Sequence, residues 1–137
     1  MTKTIHFELV SPEQKLVSES VYMAVMPGDE GDFGVLKGHS ALVSSLRNGV
    51  VKLYKEQDDK APRKIFIAGG FADVTAENCI VLAEEAIPVK DLNAENLGKE
   101  LADLNHDLDL VAEKADKERV KTKISLVKAK LHAISVA

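Results

Sequence analysis

The hydrophobic periodicity of this chain changes near residue 88, and this change limits the fold more than any other feature of the sequence. Before that point apolar and polar residues alternate, as from Ile5 to Leu9, which is typical of a half-buried strand. After it the apolar residues recur every three or four positions, which is typical of an amphipathic helix. We therefore expect an α+β chain, with a strand-rich domain over residues 1–87 and a helical domain over residues 88–137.

The strand-rich domain contains several short segments with this alternation. We predict strands over residues 5–9, 17–26, 42–46, 49–54, 64–68, 71–75 and 80–83. Turn signals separate them, among them Asn48-Gly49 and the pair Gly69-Gly70. Many short strands at this spacing favour an antiparallel sandwich or barrel over alternating βαβ units.

Two apolar stripes follow in the helical domain. The first consists of Leu97, Leu101, Leu104, Leu108 and Val111, and the second of Val120, Ile124, Val127, Leu131 and Ile134. The two stripes do not continue one another, because the 4-3 spacing of apolar residues is interrupted over residues 112–118. We therefore expect two antiparallel helices that bury their stripes on each other. Asn93 is the predicted N-cap of the first helix. Because no Gly or Pro lies in the break, one long helix remains the alternative if the stripes find other partners.

Charge is unevenly distributed along the chain. Residues 1–110 contain 11 Lys and Arg against 19 Asp and Glu, whereas residues 111–137 contain 7 against 3. An acidic body with a basic tail indicates two surfaces with different partners, and the body lacks the clustered positive charge that binds nucleic acid. No secretory signal or apolar run of roughly 18 residues is present, so we expect a cytoplasmic protein that reaches a membrane only through partners.

The sequence contains no convincing catalytic or metal-binding pattern. Cys79 is the single cysteine and lies in an apolar run, so we interpret it as a core side chain. His39-Ser40 near Asp32 could form a hydrolase cluster, but no nucleophile elbow accompanies it. The four histidines lack the spacing of metal ligands, and the glycines near residue 31 do not form a phosphate-binding loop. We therefore predict no catalytic residue, cofactor or metal.

A glycine-rich stretch between Met26 and Leu42 is interpreted as a long ordered loop that exposes Asp29, Glu30 and Asp32. Such loops on a rigid sheet often carry function, and an acidic one on a domain without catalytic groups indicates a docking surface.

The same stretch carries a family resemblance. It reads Gly-Asp-Phe-Gly-Val-Leu-Lys-Gly-His-Ser-Ala-Leu over residues 31–42 and is followed by Leu-Arg-Asn-Gly-Val-Val over residues 46–51. Order and spacing resemble the signature of the F-type ATP synthase epsilon subunit, which is called delta in mitochondria. The resemblance covers residues 5 to about 90 and implies a ten-stranded antiparallel β-sandwich followed by a helical hairpin.

The resemblance also implies partners and a place in the cell. It implies a non-catalytic central-stalk subunit that links gamma to the c-subunit ring at the cytoplasmic face of a bacterial inner membrane. Asp32 and Phe33 would then contact the c ring, and His39, Ser40 and Leu42 would contact gamma. In many bacterial relatives the hairpin rises along gamma toward the alpha/beta catalytic hexamer and inhibits ATP hydrolysis. The basic side chains that could make this contact, or could equally form a solvated helix face, are Lys121, Lys123, Lys128 and Lys130.

Three departures from the family pattern are visible. Lys37 stands where the family usually has Pro, and Ser40-Ala41 replaces the usual Ala-Pro. The ATP-binding motif of some bacterial relatives needs an Arg three residues after its Asp, but Asp91 is followed there by Ala94, so ATP binding is not predicted. The competing interpretation is a free-standing adaptor with a coiled-coil arm, and a hydrolase that uses His39 is the remote one.

Overall fold

The computed structural model describes residues 3–136 and divides into two compact units, one ending at Pro88 and the other beginning at Val89. Within these residues the first unit contains eight strands: β1 (Ile5–Val10), β2 (Lys15–Val21), β3 (Met23–Gly28), β4 (Gly31–Leu36), β5 (Leu42–Leu46), β6 (Gly49–Tyr54), β7 (Arg63–Val74) and β8 (Asn78–Pro88). The second unit contains a 3₁₀ turn (Val89–Asp91) and two helices, α1 (Ala94–Leu110) and α2 (Lys114–Ser135).

The strands form one hydrogen-bonded sheet that folds over on itself as a β-sandwich. Its order is β2-β1-β8-β7-β5-β3-β4, and β6 pairs with both β3 and β7. The first half of β7 pairs with β6 and the second half with β5, so β7 belongs to both layers. Strand β8 accompanies β7 along nearly its whole length. The two long strands therefore join the layers along one side.

The expected count of ten strands is wrong for the described residues, which form eight. One predicted break is absent, because Gly69-Gly70 lies inside β7 and is not a turn. Both glycines have positive φ, 66° and 134°, a region that residues with a side chain rarely adopt. The strand bends there, yet its pairing with β8 resumes at once, with Ala68 opposite Glu85 and Gly70 opposite Ala83. The bend turns the strand from one layer into the other without ending it.

The expectation of a purely antiparallel sheet is also wrong. Strand β1 runs parallel to β8, with Phe7 opposite Cys79 and Leu9 opposite Val81. The two strands are far apart in sequence, and every turn signal between them favours hairpins, so alternation within either strand could not reveal this pairing.

The predicted loop between Met26 and Leu42 is largely a β-hairpin. Strands β3 and β4 pair antiparallel from Met23 opposite Leu36 to Gly28 opposite Gly31. Only Val35 of β4 is fully buried, and two glycines lower its strand propensity, which hid the strand from the sequence pattern. The predicted strand over residues 17–26 is likewise two strands, because β2 pairs with β1 and β3 pairs with β4.

The core lies between the layers and is built by alternate residues of the strands. Its largest fully buried side chains include Ile5, Phe7, Leu9, Met26, Leu53, Ile65 and Ile67. The prediction for Cys79 is confirmed: the thiol is buried, with its Sγ 4.0 Å from Sδ of Met26. Burial in this apolar setting, with a smaller contribution from the Asp73 carboxylate, raises the pKa of the Cys79 thiol to about 12.

The helical unit follows the two predicted stripes. Leu97, Ile124 and Val127 are buried, and the other stripe residues are half-buried. The predicted cap is confirmed, since the Asn93 side chain accepts a hydrogen bond of 3.0 Å from the Asn96 backbone N–H. The described residues form two helices in the chain alone, because α1 ends where Val111 takes an extended conformation. Helices α1 and α2 pack against each other.

The bend in β7 generates a test. A Cβ at Gly70 would lie 2.0 Å from the carbonyl oxygen of Leu82, so Gly70→Ala should destabilise the protein by about 2–4 kcal/mol through steric conflict and strained φ. Gly98→Ala is the matched control, because that glycine lies within α1 with open space around it, and the change should stabilise by about 0.5–1 kcal/mol. Urea unfolding measures both. Equal effects of the two substitutions would contradict the bend.

Candidate functional site

The β3–β4 turn carries an exposed acidic group. Asp29 and Glu30 form its exposed tip, and the Asp32 carboxylate pairs with the guanidinium of Arg47 from the β5–β6 turn. Phe33 is half-buried and packs against the core. Its ring lies over Gly28, where a Cβ would come within 2.9 Å of the ring carbons. The glycine therefore lets the ring settle on the hairpin backbone, while the carboxylates face solvent.

A cleft of about 600 Å³ separates this turn from β5. Its walls are residues 28–33 on one side and residues 42–45 on the other. Leu42 therefore shares a cleft with Asp32 and Phe33, although the sequence prediction gave these residues to different partners. The two sets of contact residues that the resemblance implies therefore meet at this cleft.

His39 and Ser40 lie at the other end of β4. The His39 backbone N–H donates to the Leu36 carbonyl oxygen at 3.1 Å, and its ring Nδ1 donates to the Ser40 carbonyl oxygen at 2.7 Å. The Gly38 N–H donates to the carbonyl oxygen of Ala76 at 2.7 Å, which ties this loop to the β7–β8 turn. Strand β4 separates His39 from Asp32 by roughly 15 Å. The hydrolase cluster of these residues is therefore not assembled.

An exposed apolar patch on the outer face of β5, β7 and β8 escaped the sequence analysis. Val43, Phe71 and Leu82 are 71%, 57% and 54% exposed. In the ladder Phe71 stands beside Leu82, and Leu82 beside Val10, so the patch continues onto β1. Clustered apolar side chains on the surface of a small protein indicate a binding site. We call Val43, Phe71 and Leu82 the apolar patch.

A second cleft opens on this face. It has a volume of about 480 Å³ and is lined by Val10, Ser11, Pro12, Ser45, Gly70, Phe71, Leu82, Ala83 and Glu84. The signal for this surface was present in the sequence: Phe71 alternates with the buried Ala72 and therefore faces outward with Asp73. Because a large aromatic side chain on the outward face of a strand does not contribute to the core, its presence there indicates another role, such as binding a partner.

The helical unit separates charge between its helices. Helix α1 carries five Asp and Glu against one Lys, and α2 carries seven Lys and Arg against two Asp and Glu. Of the four lysines singled out by the sequence, Lys121, Lys123 and Lys128 are exposed and Lys130 is half-buried. The Lys121 ammonium Nζ lies 3.8 Å from Oε1 of Glu118, which is one turn away on the same helix. A basic surface on α2 is therefore present.

Within residues 3–136, no three His, Cys, Asp or Glu side chains form a group that could hold a metal ion. Among the same residues, neither helix is long and apolar enough to span a membrane.

A β-sandwich with an acidic turn and an apolar outer patch, joined to a helical unit with one basic helix, defines a protein-docking subunit. Comparison with known sequences gives the family. The model of "ATP synthase, Delta/Epsilon chain, beta-sandwich domain" matches residues 4–89, which is most of the strand-built unit. The chain belongs to the delta/epsilon chain family of ATP synthase, and the resemblance seen in the sequence is confirmed.

Individual relatives agree with this assignment. The chain is 39% identical to the ATP synthase epsilon chain of Rhodospirillum centenum over 98% of its own length and 94% of that protein's. It is 44% identical to the epsilon chain of Maricaulis maris over 87% of its own length and 86% of that protein's. Both similarities reach beyond the β-sandwich into the helical unit.

Solved structures share the fold. A chain of the Euglena gracilis mitochondrial ATP synthase, solved as OSCP/F1/c-ring, aligns with a TM-score of 0.83 at 22% identity over 96% of this chain and 82% of that one. A chain of the Tetrahymena thermophila mitochondrial ATP synthase central stalk and c ring aligns with a TM-score of 0.67 at 14% identity, covering 95% and 96%.

The apolar patch makes a prediction about stability. Because Phe71 faces solvent, Phe71→Gln should change the free energy of unfolding by only about 0.5 kcal/mol. Phe7→Ala, which empties a fully buried position, should cost about 3–5 kcal/mol. Chemical denaturation measures both variants. A loss for Phe71→Gln comparable to that for Phe7→Ala would show that Phe71 belongs to the core and not to a docking surface.

Proposed function

We propose that this chain is the non-catalytic central-stalk subunit of an F-type ATP synthase, which links gamma to the c ring so that rotation couples the two. The observation that carries the proposal is the family match over residues 4–89. Relatives aligned over most of their length are named ATP synthase epsilon chains and come from bacteria. The chain then acts at the cytoplasmic face of a bacterial inner membrane, held there by its partners.

The acidic turn is the proposed contact with the c ring, through Asp32 and Phe33. Asp32 offers an exposed carboxylate, and Phe33 offers the edge of a ring already fixed against the core. A fixed aromatic group beside a charged one loses little side-chain entropy on docking. The turn therefore suits the polar loops that a ring of membrane subunits presents.

The contact with gamma is proposed for His39, Ser40 and Leu42, extended by the apolar patch. Leu42 begins β5, its neighbour Val43 belongs to the patch, and His39 lies in the preceding loop. A lasting interface between subunits that turn together needs a buried apolar centre with a polar rim. The patch supplies the centre, and the loop of His39 and Ser40 supplies part of the rim.

The helices are proposed to form an antiparallel hairpin with a regulatory role. Only residues 111–113 connect α1 to α2, and a link this short joins packed helices side by side in opposite directions. The basic face of α2, with Lys121, Lys123, Lys128 and Lys130, would dock on an acidic surface of the alpha/beta hexamer and inhibit ATP hydrolysis.

Cross-linking tests the two contacts of the β-sandwich. Asp32→Cys and His39→Cys, each labelled with a photoreactive maleimide and assembled into the enzyme, should cross-link to the c subunit and to gamma respectively. The buried Cys79 thiol, with its pKa raised to about 12, leaves the introduced cysteine as the reactive group. Each variant is the control for the other, and mass spectrometry identifies the cross-linked subunits. A cross-link from position 32 to gamma and from position 39 to the c subunit would refute the assignment.

Charge reversal tests the regulatory role. Changing Lys121, Lys123 and Lys128 to Glu keeps helix propensity and should weaken docking about tenfold or more, since each exposed ion pair contributes roughly 0.2–1 kcal/mol and reversal adds repulsion. ATP hydrolysis by the reconstituted enzyme should then rise. The control reverses Lys55 and Lys60 in the exposed β6–β7 connection and should leave hydrolysis unchanged. Unchanged hydrolysis with the α2 variant would leave the hairpin without an inhibitory role.

A further inference from the structure

The β3–β4 turn and the β5–β6 turn are hydrogen-bonded to each other at the acidic end of the β-sandwich. The Asp29 N–H donates to the Ser45 carbonyl oxygen at 3.2 Å, and the Arg47 N–H donates to the Pro27 carbonyl oxygen at 2.9 Å. Between these bonds Gly28 pairs with Leu46 in the ladder. The β3–β4 and β5–β6 turns therefore present one continuous surface, held by backbone bonds in both directions.

The side chain of Arg47 crosses from one turn to the other and pairs with the Asp32 carboxylate. Its path runs over Gly49, where a Cβ would lie 2.8 Å from Nη1 of Arg47 and 2.7 Å from Cβ of Pro27. Gly49 thus leaves the space that the Arg47 side chain occupies. This arrangement was invisible in the sequence, because Asp32 and Arg47 are 15 residues apart.

The ion pair is too exposed to add much to folding. The side chains of Arg47 and Asp32 are 44% and 56% exposed, and water screens such pairs strongly. The backbone bonds already hold the turns. What the guanidinium adds is orientation, because its rigid, planar set of donors fixes a carboxylate more narrowly than water can.

We infer that Arg47 is a positioning residue for docking on the c ring, an inference that rests on the proposed function. It holds Oδ1 of Asp32 and leaves Oδ2 to accept a hydrogen bond from the partner. The surface offered is a paired anion and cation in place of a bare negative charge. Its complement is a polar loop that supplies a hydrogen-bond donor for the oriented carboxylate.

Binding of the full-length chain to the detergent-solubilised c ring and to gamma tests this inference. Arg47→Ala should weaken ring binding roughly threefold to tenfold, the range for a partly exposed charged contact. The double variant with Asp32→Asn should bind no more weakly than Asp32→Asn alone, because both changes remove one shared arrangement. Gamma binding and the unfolding midpoint should not change. Arg119→Ala is the matched control, since it removes another exposed Arg–Asp pair, with Asp116 on α2, and should leave ring binding intact.

The outcomes separate this inference from the proposed function. If Asp32→Asn weakens ring binding while Arg47→Ala does not, the contact stands and the positioning role is refuted. The positioning role is also refuted if the double variant loses ring affinity by the product of the two single losses. It is refuted as well if the unfolding midpoint of Arg47→Ala falls in proportion to the lost binding. If the unaltered chain does not bind the ring, or if Asp32→Asn has no effect, the proposed contact fails and the inference fails with it.

Discussion

The backbone of Gly70 lies so close to the carbonyl oxygen of Leu82 that no side chain fits between them, and the rest of the β-sandwich depends on this approach. It lets β7 bend from one layer into the other while staying paired with β8, so two long strands join both layers. Beyond the bend β7 pairs with β5, which places Val43 on the same outer face as Phe71. The close contact of β5 with β3 then sets the acidic turn against the β5–β6 turn. Core, apolar patch and acidic turn thus follow from one backbone geometry.

The chain keeps different chemistry on different surfaces. The strand-built unit has a charged turn at one end and an apolar patch on its outer face, whereas the helical unit has an acidic and a basic helix. Apolar area suits an interface that persists, because its burial supplies most of the free energy of association. Exposed charge suits an interface that forms and breaks, because water and salt keep such contacts weak. The proposed permanent contact with gamma and the proposed regulatory contact of α2 follow this division.

Local patterns predicted what depends on local physics. Alternation found the buried residues of β1, the 4-3 spacing found both helical stripes, and Asn93 was recognised as a cap. The misses all depend on neighbours distant in sequence. A glycine pair is compatible both with a turn between two strands and with a bend inside one strand. Only the pairing with β8 shows that Gly69-Gly70 is a bend, so the sequence-based prediction of a turn was wrong. The parallel pairing of β1 with β8 and the pairing of Asp32 with Arg47 leave no local trace. The apolar patch was missed, although alternation with the buried Ala72 places Phe71 on the outward face of β7.

Affinity purification of the tagged full-length chain from native membranes, with mass-spectrometric identification of what accompanies it, tests the central claim most directly. The account predicts gamma, the catalytic subunits and the c-ring subunit together, since a central-stalk subunit is held by its partners at the membrane. Recovery of the chain without any of them, under conditions in which the ATP synthase itself stays assembled, would contradict the account. The free-standing adaptor would then be the better interpretation of the same fold.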